Sequence, residues 1–275
     1  MIMQLNNLCG IDIGCTNIKM AAIIDGIVYK RIIPSGDNLS QDSLIQAITS
    51  FYRSFNHGFD GLGIAFSGCT TNGYNIYHTT LPCLDNLATK DFYHLTKNVL
   101  FINDSNATAL AGLLEYPNAK VLLGITNGTG IGLGITINGK LFTGGNGLAG
   151  EIYGNPIFNF STNPTKVGKL CSGSKILKIK NSTSTDTDVI TTASHYMGSV
   201  LVSLIHVFNP NILYFSGGGF NFPNYLDLTK EFIGQNTYSH FLNNLVMASS
   251  SFDSLSGCFG AMKFIKESCW EIKIC

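Results

Sequence analysis

Apolar and polar positions along this chain follow two periods, and the changes of period mark its elements. The run Leu8–Ile13 is apolar almost throughout and predicts a short buried strand. Gly14-Cys15-Thr16-Asn17 reads as a turn into a second strand over 18–24, and Asp25-Gly26 is a hairpin signal leading into a third over 27–33. Helical spacing appears over 40–56, with Leu44, Ile45, Ile48 and Tyr52 on one face and Ser40 or Asp42 able to cap. A buried strand over 61–66 ends at Ser67-Gly68, and 69–86 reads as a long polar loop. The strand over 99–102 runs into Asn103-Asp104, and 107–114 continues as a helix. An irregular Asn/Pro/Thr-rich stretch follows Glu151 to about 166. A long amphipathic helix is predicted over 186–208, with Ile190, Ala193, Met197, Val200, Leu201, Leu204, Ile205 and Phe208 on its apolar face. A strand over 211–215 runs into Ser216-Gly217-Gly218-Gly219, and a weak strand over 246–248 precedes a last helix over 255–265.

This order repeats itself. A meander with a glycine turn, then helices and strands, begins at residue 8 and again at 121, which predicts two similar α/β lobes with a cleft between them. The division falls after 106: residues 1–106 form the first lobe and 107–275 the second, with a hinge near 105–120. The opening is unlike a dinucleotide-binding start, where the first glycine turn feeds a helix.

The glycine-dense stretch 124–151 is the chemical centre. Asn127-Gly128-Thr129-Gly130 forms a turn whose backbone N–H groups are open to phosphate oxygens, because glycine has no side chain to block approach. Asn138-Gly139 closes a hairpin, Lys140-Leu141-Phe142 begins the return strand, and a second glycine loop ends on Glu151, the only carboxylate of the run. Asp104 stands where a strand gives way to a helix N-terminus, a place that favours anionic groups and where ligands collect in α/β sheets.

Composition narrows the classes. Hydrophobic residues make up 45% and charged residues 12%, so the chain can bury a large core. Seventeen basic residues balance seventeen acidic ones, which argues against a nucleic-acid surface or a polybasic membrane anchor. No apolar run reaches bilayer length, and the start lacks a basic leader with a cleavage site, so a cytoplasmic location is expected. The eight cysteines form no CxxC pair and read as reduced, small apolar groups.

Taken together, GIDIGCTNIK, NDSNATALAG, GTGIGLGI and GNGLAGE resemble the ROK (repressor, open reading frame, kinase) sugar kinases, within the hexokinase/actin-like ATPase superfamily. Ser216-Gly217-Gly218-Gly219 and Gly257-Cys258-Phe259-Gly260-Ala261 look like that family's adenosine-side loops, and Leu170-Cys171-Ser172-Gly173-Ser174 like the loop after its sugar site. The resemblance runs in order along nearly the whole chain. It implies a two-lobed actin-like ATPase (ribonuclease H-like) fold, each lobe a mixed sheet flanked by helices, and ATP-dependent phosphorylation of a hexose or hexose derivative. Asp104 would be the general base, and Asp12 would orient Mg²⁺ through water. Gly14, Thr16 and Asn17 would lie along the ATP phosphates opposite Gly128, Thr129 and Gly130, with Gly217 and Gly218 on the adenosine side. Ser67, Gly68, Asn103, Gly147 and Glu151 would hold the sugar. Lys19 would either add positive charge to the phosphates or face solvent, since strand alternation permits both.

The chain also departs from the family. Glu151 is followed by Ile152-Tyr153-Gly154-Asn155 instead of Gly-His, the cysteine-rich zinc loop is missing, and no acidic residue occurs between Glu151 and Asp186. Zinc is therefore not expected, and His78 in the polar loop is a candidate substitute for the missing histidine. The rival readings are a sugar-binding sensor that no longer catalyses, and a kinase of another small molecule such as pantothenate. A DNA-binding regulator is not expected, because the first core strand begins at residue 8. Apolar patches on the second lobe permit a homodimer.

Overall fold

The computed structural model of the chain describes residues 2–157, 164–181 and 186–271. The middle of the irregular stretch after Glu151 and the final Cys275 lie outside them. Two five-stranded mixed sheets carry the fold. The first contains β1 (Leu8–Ile13), β2 (Asn17–Ile24), β3 (Ile27–Pro34), β4 (Gly61–Phe66) and β7 (Val99–Asn103), in the order β3-β2-β1-β4-β7. The second contains β8 (Val121–Asn127), β9 (Ile131–Ile137), β10 (Lys140–Leu141), β13 (Ile212–Ser216) and β14 (Val246–Ser249), in the order β10-β9-β8-β13-β14. In each sheet an antiparallel three-strand meander is extended by two parallel strands. The repeat read from the sequence is thus a repeat of topology.

Helix α1 (Gln41–Arg53) packs on the first sheet, and its first turn is capped by Ser40, whose side chain accepts from the Ser43 N–H. Leu44, Ile48, Phe51 and Tyr52 join the core of β1, β2 and β4. The second sheet is covered by α5 (Asp186–Phe208), whose Ile190, Ala193, Met197, Leu201 and Ile205 are buried against it, and by α6 (Tyr225–Asn236). Between the sheets lie α2 (Asp104–Glu115) and α8 (Ser256–Glu271), packed on each other. The C-terminal helix therefore returns to the first sheet, resting on β1 and β4.

Glycines make this four-layer stack thin. A Cβ on Gly10 or Gly63 of the first sheet would stand 2.2 and 2.1 Å from the carbonyl oxygens of Cys258 and Ala261 in α8. A Cβ on Gly260 of α8 would stand 1.7 Å from the Ala107 oxygen in α2, and one on Gly134 of β9 would stand 2.1 Å from the Ser105 oxygen. Each layer touches the next backbone to backbone, which side chains would forbid.

The outline differs from the sequence reading in four places. Residues 69–86 are not a plain loop. They hold a small hairpin, β5 (Cys69–Thr71) and β6 (Asn75–Tyr77), turned at Asn72-Gly73 with both residues at positive φ, then a 3-10 turn at Pro82–Leu84. The return strand after Asn138-Gly139 is only two residues long. Gly257 to Ala261 lie inside the first turns of α8, where Gly257 and Gly260 permit close packing, and do not form a loop. Helix α6 and the short helices α3 (Gly168–Cys171), α4 (Gly173–Lys180) and α7 (Ser239–Leu242) add to the elements expected from the sequence, three of them too short for a period to show; β11 (Pro156–Ile157) and β12 (Thr165–Lys166) pair antiparallel.

Candidate active site

Asp104 is the first residue of α2, directly after β7. The helix is capped by Asn103, whose Oδ1 accepts from the N–H groups of Ser105 and Asn106 at 2.9 and 3.1 Å. The Asn103 amide also donates to the Gly68 carbonyl at 3.0 Å, fixing the loop that leaves β4 at Ser67-Gly68. The Ser67 carbonyl in turn accepts from the Thr79 hydroxyl at 3.2 Å. Asn103 is thus largely occupied with the protein, and one Nδ2 hydrogen is left for a ligand.

The Asp104 Oδ1 accepts from the Ser105 N–H at 2.8 Å. Burial, then the negative charge of Asp12, push its carboxyl from an ordinary 3.8 up to about 7, and Glu151 adds to the rise. Three carboxylates from β1, α2 and the second glycine loop therefore share one field. Asp12 is 8% exposed and lies opposite Lys19 in the β1–β2 register, with a 2.9 Å ion pair between them. Burial works against the Lys19 charge, but its attraction and hydrogen bond to Asp12 prevail and leave its pKa raised. Lys19 is therefore turned towards the carboxylates and away from bulk solvent. Gly257, in the first turn of α8, packs on the Asp12 carboxylate, placing that anion at a helix N-terminus.

The first glycine turn closes through the Gly14 N–H on the Asn17 carbonyl at 3.0 Å, and it is pinned by the hydroxyl of Ser35, the residue after β3, which donates to the Gly14 oxygen at 2.5 Å. On the second sheet the Gly128 N–H donates to the Gly130 carbonyl at 2.9 Å. Among the described residues the amides of Thr16 and Thr129 find no acceptor. A Cβ added to Gly128 or Gly218 would meet nothing within 4 Å. Each of these two turns, and Gly218 after β13, presents exposed backbone of a kind suited to phosphate oxygens, whereas Gly217 is packed on the Asn127 backbone. Gly132 and Gly134, by contrast, serve the α2 contact.

The second glycine loop is anchored at Gly150, with φ +96 and a would-be Cβ 1.8 Å from the Leu133 oxygen. Gly147, also at positive φ, is exposed. Glu151 follows, exposed on one side, and partial loss of water raises its carboxyl. In the Leu170–Ser174 segment Gly173 packs on the Gly128 carbonyl and Gly219, and the Ser174 hydroxyl donates to the Thr129 oxygen at 2.6 Å, so the segment buttresses the Gly128–Gly130 turn. His78 is exposed, in the left-handed region at φ 50, with its ring against Tyr77. The six cysteines described are all free, and burial pushes the Cys171 thiol up to about 12. No group of three or more His, Cys, Asp or Glu residues able to hold a metal ion occurs among the described residues, and none of their helices is long and apolar enough to cross a membrane.

The sequence pattern of the ROK family matches residues 8–172, which contain the first meander, Asp104, the Gly128–Gly130 turn and Glu151. The chain belongs to the ROK family. A glucokinase from Halalkalibacterium halodurans is 33% identical over 165 residues, covering 52% of this chain and 48% of that one. An N-acetylmannosamine kinase from Vibrio cholerae is 31% identical over 149 residues, 52% of each. The chain thus spans about half the length of the curated relatives it matches. Among solved structures, a ROK family glucokinase from Streptomyces griseus in complex with glucose and AMPPNP superposes with a TM-score of 0.77 at 17% identity, over 94% of this chain and 99% of that one. A ROK family transcriptional regulator, a homologue of the E. coli MLC protein, superposes at 0.73 with 18% identity, over 94% and 78%. At such identities the superpositions speak for the ROK actin-like fold, which kinases and regulators share.

Proposed function

We propose that this chain is an ATP-dependent sugar kinase that phosphorylates a hexose or hexose derivative of the glucose or N-acylhexosamine kind, with Asp104 as general base. The single observation that carries the reading is Asp104 itself: a half-buried carboxylate at a strand-to-helix junction, its pKa raised to about 7 by loss of water and by the charges of Asp12 and Glu151, in a ROK chain. A base with that pKa is ionised often enough near neutrality to accept a hydroxyl proton, yet basic enough to hold it.

The cleft lies between a first lobe begun by 1–106 and a second begun by 107–275, with α8 seated on the first sheet. The residues present fit Mg·ATP, because the glycine turns leave open backbone with free amides where side chains would fill the space. Gly14, Thr16, Asn17, Gly128, Thr129 and Gly130 would hold the phosphates, and Gly217 and Gly218 would border the adenosine. Asp12 would hold Mg²⁺ through water, with Lys19 adding positive charge beside it. When bound, Mg·ATP supplies the phosphoryl group and the metal charge that offsets its oxygens. Glu151, Gly147, Ser67, Gly68 and the remaining Asn103 hydrogen would orient the sugar so that one hydroxyl meets Asp104. Asp104 then takes that proton as the oxygen attacks. Named relatives act on glucose and N-acetylmannosamine, which supports this substrate class for the sugar side.

A coupled ADP-release assay against hexoses and N-acylhexosamines tests the proposal, with Asp104→Asn in parallel. Turnover on one sugar that the variant loses by about 10²-fold or more supports it. Unchanged turnover in Asp104→Asn removes Asp104 as the base. Sugar-dependent thermal stabilisation with no turnover on any sugar favours the sensor reading instead, which the similarity to a ROK regulator and the missing Gly-His pair support.

A further inference from the structure

We propose that Asn127 is the positioning residue of the nucleotide side, joining three loops into one surface; the inference rests on the kinase reading above. Asn127 is the last residue of β8, with no exposed surface, directly before the Gly128 turn. Its Oδ1 accepts from the Gly173 N–H at 2.8 Å, and its amide donates to the Cys171 carbonyl at 3.3 Å. The same carbonyl accepts from the buried Tyr225 hydroxyl at 2.8 Å. Both polar ends of the Asn127 side chain are thus used on one peptide turn, and the turn is held from β8 and α6 at once.

The loop after β13 closes on the same residue. A Cβ on Gly217 would stand 2.4 Å from the Asn127 carbonyl oxygen, and one on Gly219 would stand 2.5 Å from its Oδ1. Gly217 sits at φ +106, so the loop reaches Asn127 through backbone that only glycine adopts readily. The third loop is the Gly128–Gly130 turn itself. Its Gly128 carbonyl accepts from the Ser174 N–H at 3.2 Å, and its Thr129 carbonyl accepts from the Ser174 hydroxyl. An apolar residue at 127 would leave the Gly173 N–H buried without an acceptor, and the 171–174 turn would lose its seat. None of these contacts reaches Asp104, Asn103 or Glu151. The effect of Asn127 should therefore fall on nucleotide and not on sugar.

Fluorescent N-methylanthraniloyl-ADP binding, read alongside the KM for Mg·ATP and for the sugar, tests this on the full chain. Asn127→Ala and the milder Asn127→Ser are expected to weaken nucleotide binding about tenfold, the scale of one or two lost positioning hydrogen bonds, and to raise the Mg·ATP KM alike. The sugar KM should stay within about twofold of wild type. If Asn127→Ala fails to fold, Asn127→Ser decides. Folded variants that bind nucleotide as tightly as wild type, or that lose sugar and nucleotide equally, overturn the proposal. A wild-type chain that binds no nucleotide overturns the kinase reading together with it.

Discussion

Replacing Asp104 by Asn should stabilise the apo protein while removing its catalysis. A carboxyl pushed from 3.8 to about 7 is disfavoured as an anion in the folded chain by roughly 4 kcal/mol, at about 1.36 kcal/mol per pH unit. An asparagine Oδ1 can keep the bond from the Ser105 N–H, so the turn stays capped. Its –NH₂ group, however, enters a half-buried site beside no acceptor that the carboxylate lacked, which costs about 1–2 kcal/mol. The net gain above neutrality is therefore about 2–3 kcal/mol, or roughly 4–10 °C in Tm for a chain of this size. The sign follows from proton binding. Between pH 4 and 7 the folded chain holds the Asp104 proton and the unfolded chain has lost it, so the wild type loses stability as pH rises through that window. Above 7 the penalty is complete. At pH 5 it has fallen to about 1.5–2 kcal/mol, which the amide cost cancels. Thermal melts of both proteins at pH 8 and pH 5, without nucleotide or Mg²⁺, provide the assay. A Tm advantage at pH 8 that vanishes at pH 5 is expected. An equal advantage at both pH values, or none at pH 8, refutes the claim that Asp104 is strained by its charge.

The same carboxyl sets the pH–rate profile: kcat/KM for the sugar should rise with pH and reach half its limiting value near 7, because only ionised Asp104 accepts the proton. A flat profile between pH 5.5 and 8.5 would count against it. Glu151→Gln should raise the sugar KM by about tenfold or more, since hydrogen bonds to a charged acceptor contribute roughly 1.5–3 kcal/mol, and leave the Mg·ATP KM unchanged. Gly134→Ala should lower stability by about 1–3 kcal/mol and reduce kcat, because its methyl group meets the Ser105 backbone at the start of α2; differential scanning fluorimetry with steady-state kinetics reads both.

Much of this architecture could be read from residue spacing. The two meanders, the cap before α1, the long α5 and the position of Asp104 between strand and helix all follow from local rules of period and turn. The Asp12–Lys19 pair was within reach too, because a hairpin folded at 14–17 sets residue 12 opposite residue 19. Asn72-Gly73 carried a hairpin signal, obscured by the polar residues around it. Other features depended on contacts between distant segments. Asn103 could be named as a ligand residue, but that its amide is taken up by Ser105, Asn106 and Gly68 depends on where the loop after β4 passes. The place of the Leu170–Ser174 turn likewise depends on distant residues, on Asn127, 44 residues before Cys171, and on Tyr225, 54 residues after it.

The glycines show why sequence reading stops where it does. A glycine needed for an open phosphate turn and one needed for a thin helix–sheet contact are the same letter, and in this chain they alternate within one run. Gly128 and Gly130 stand in the open turn, whereas Gly132 and Gly134, the next two in the series, lie under α2. That mixture also has a mechanical consequence. Gly134 sets the distance between β9 and the start of α2, Gly260 sets the distance between α2 and α8, and Gly257 brings α8 onto Asp12. The spacing of Asp104 from Asp12, which after burial is the next cause of the raised Asp104 pKa, is set by three packing glycines. The burial that keeps Asp104 poised is thus a property of the layer stack, and a methyl group added anywhere along it should be read first in the pH profile of the reaction.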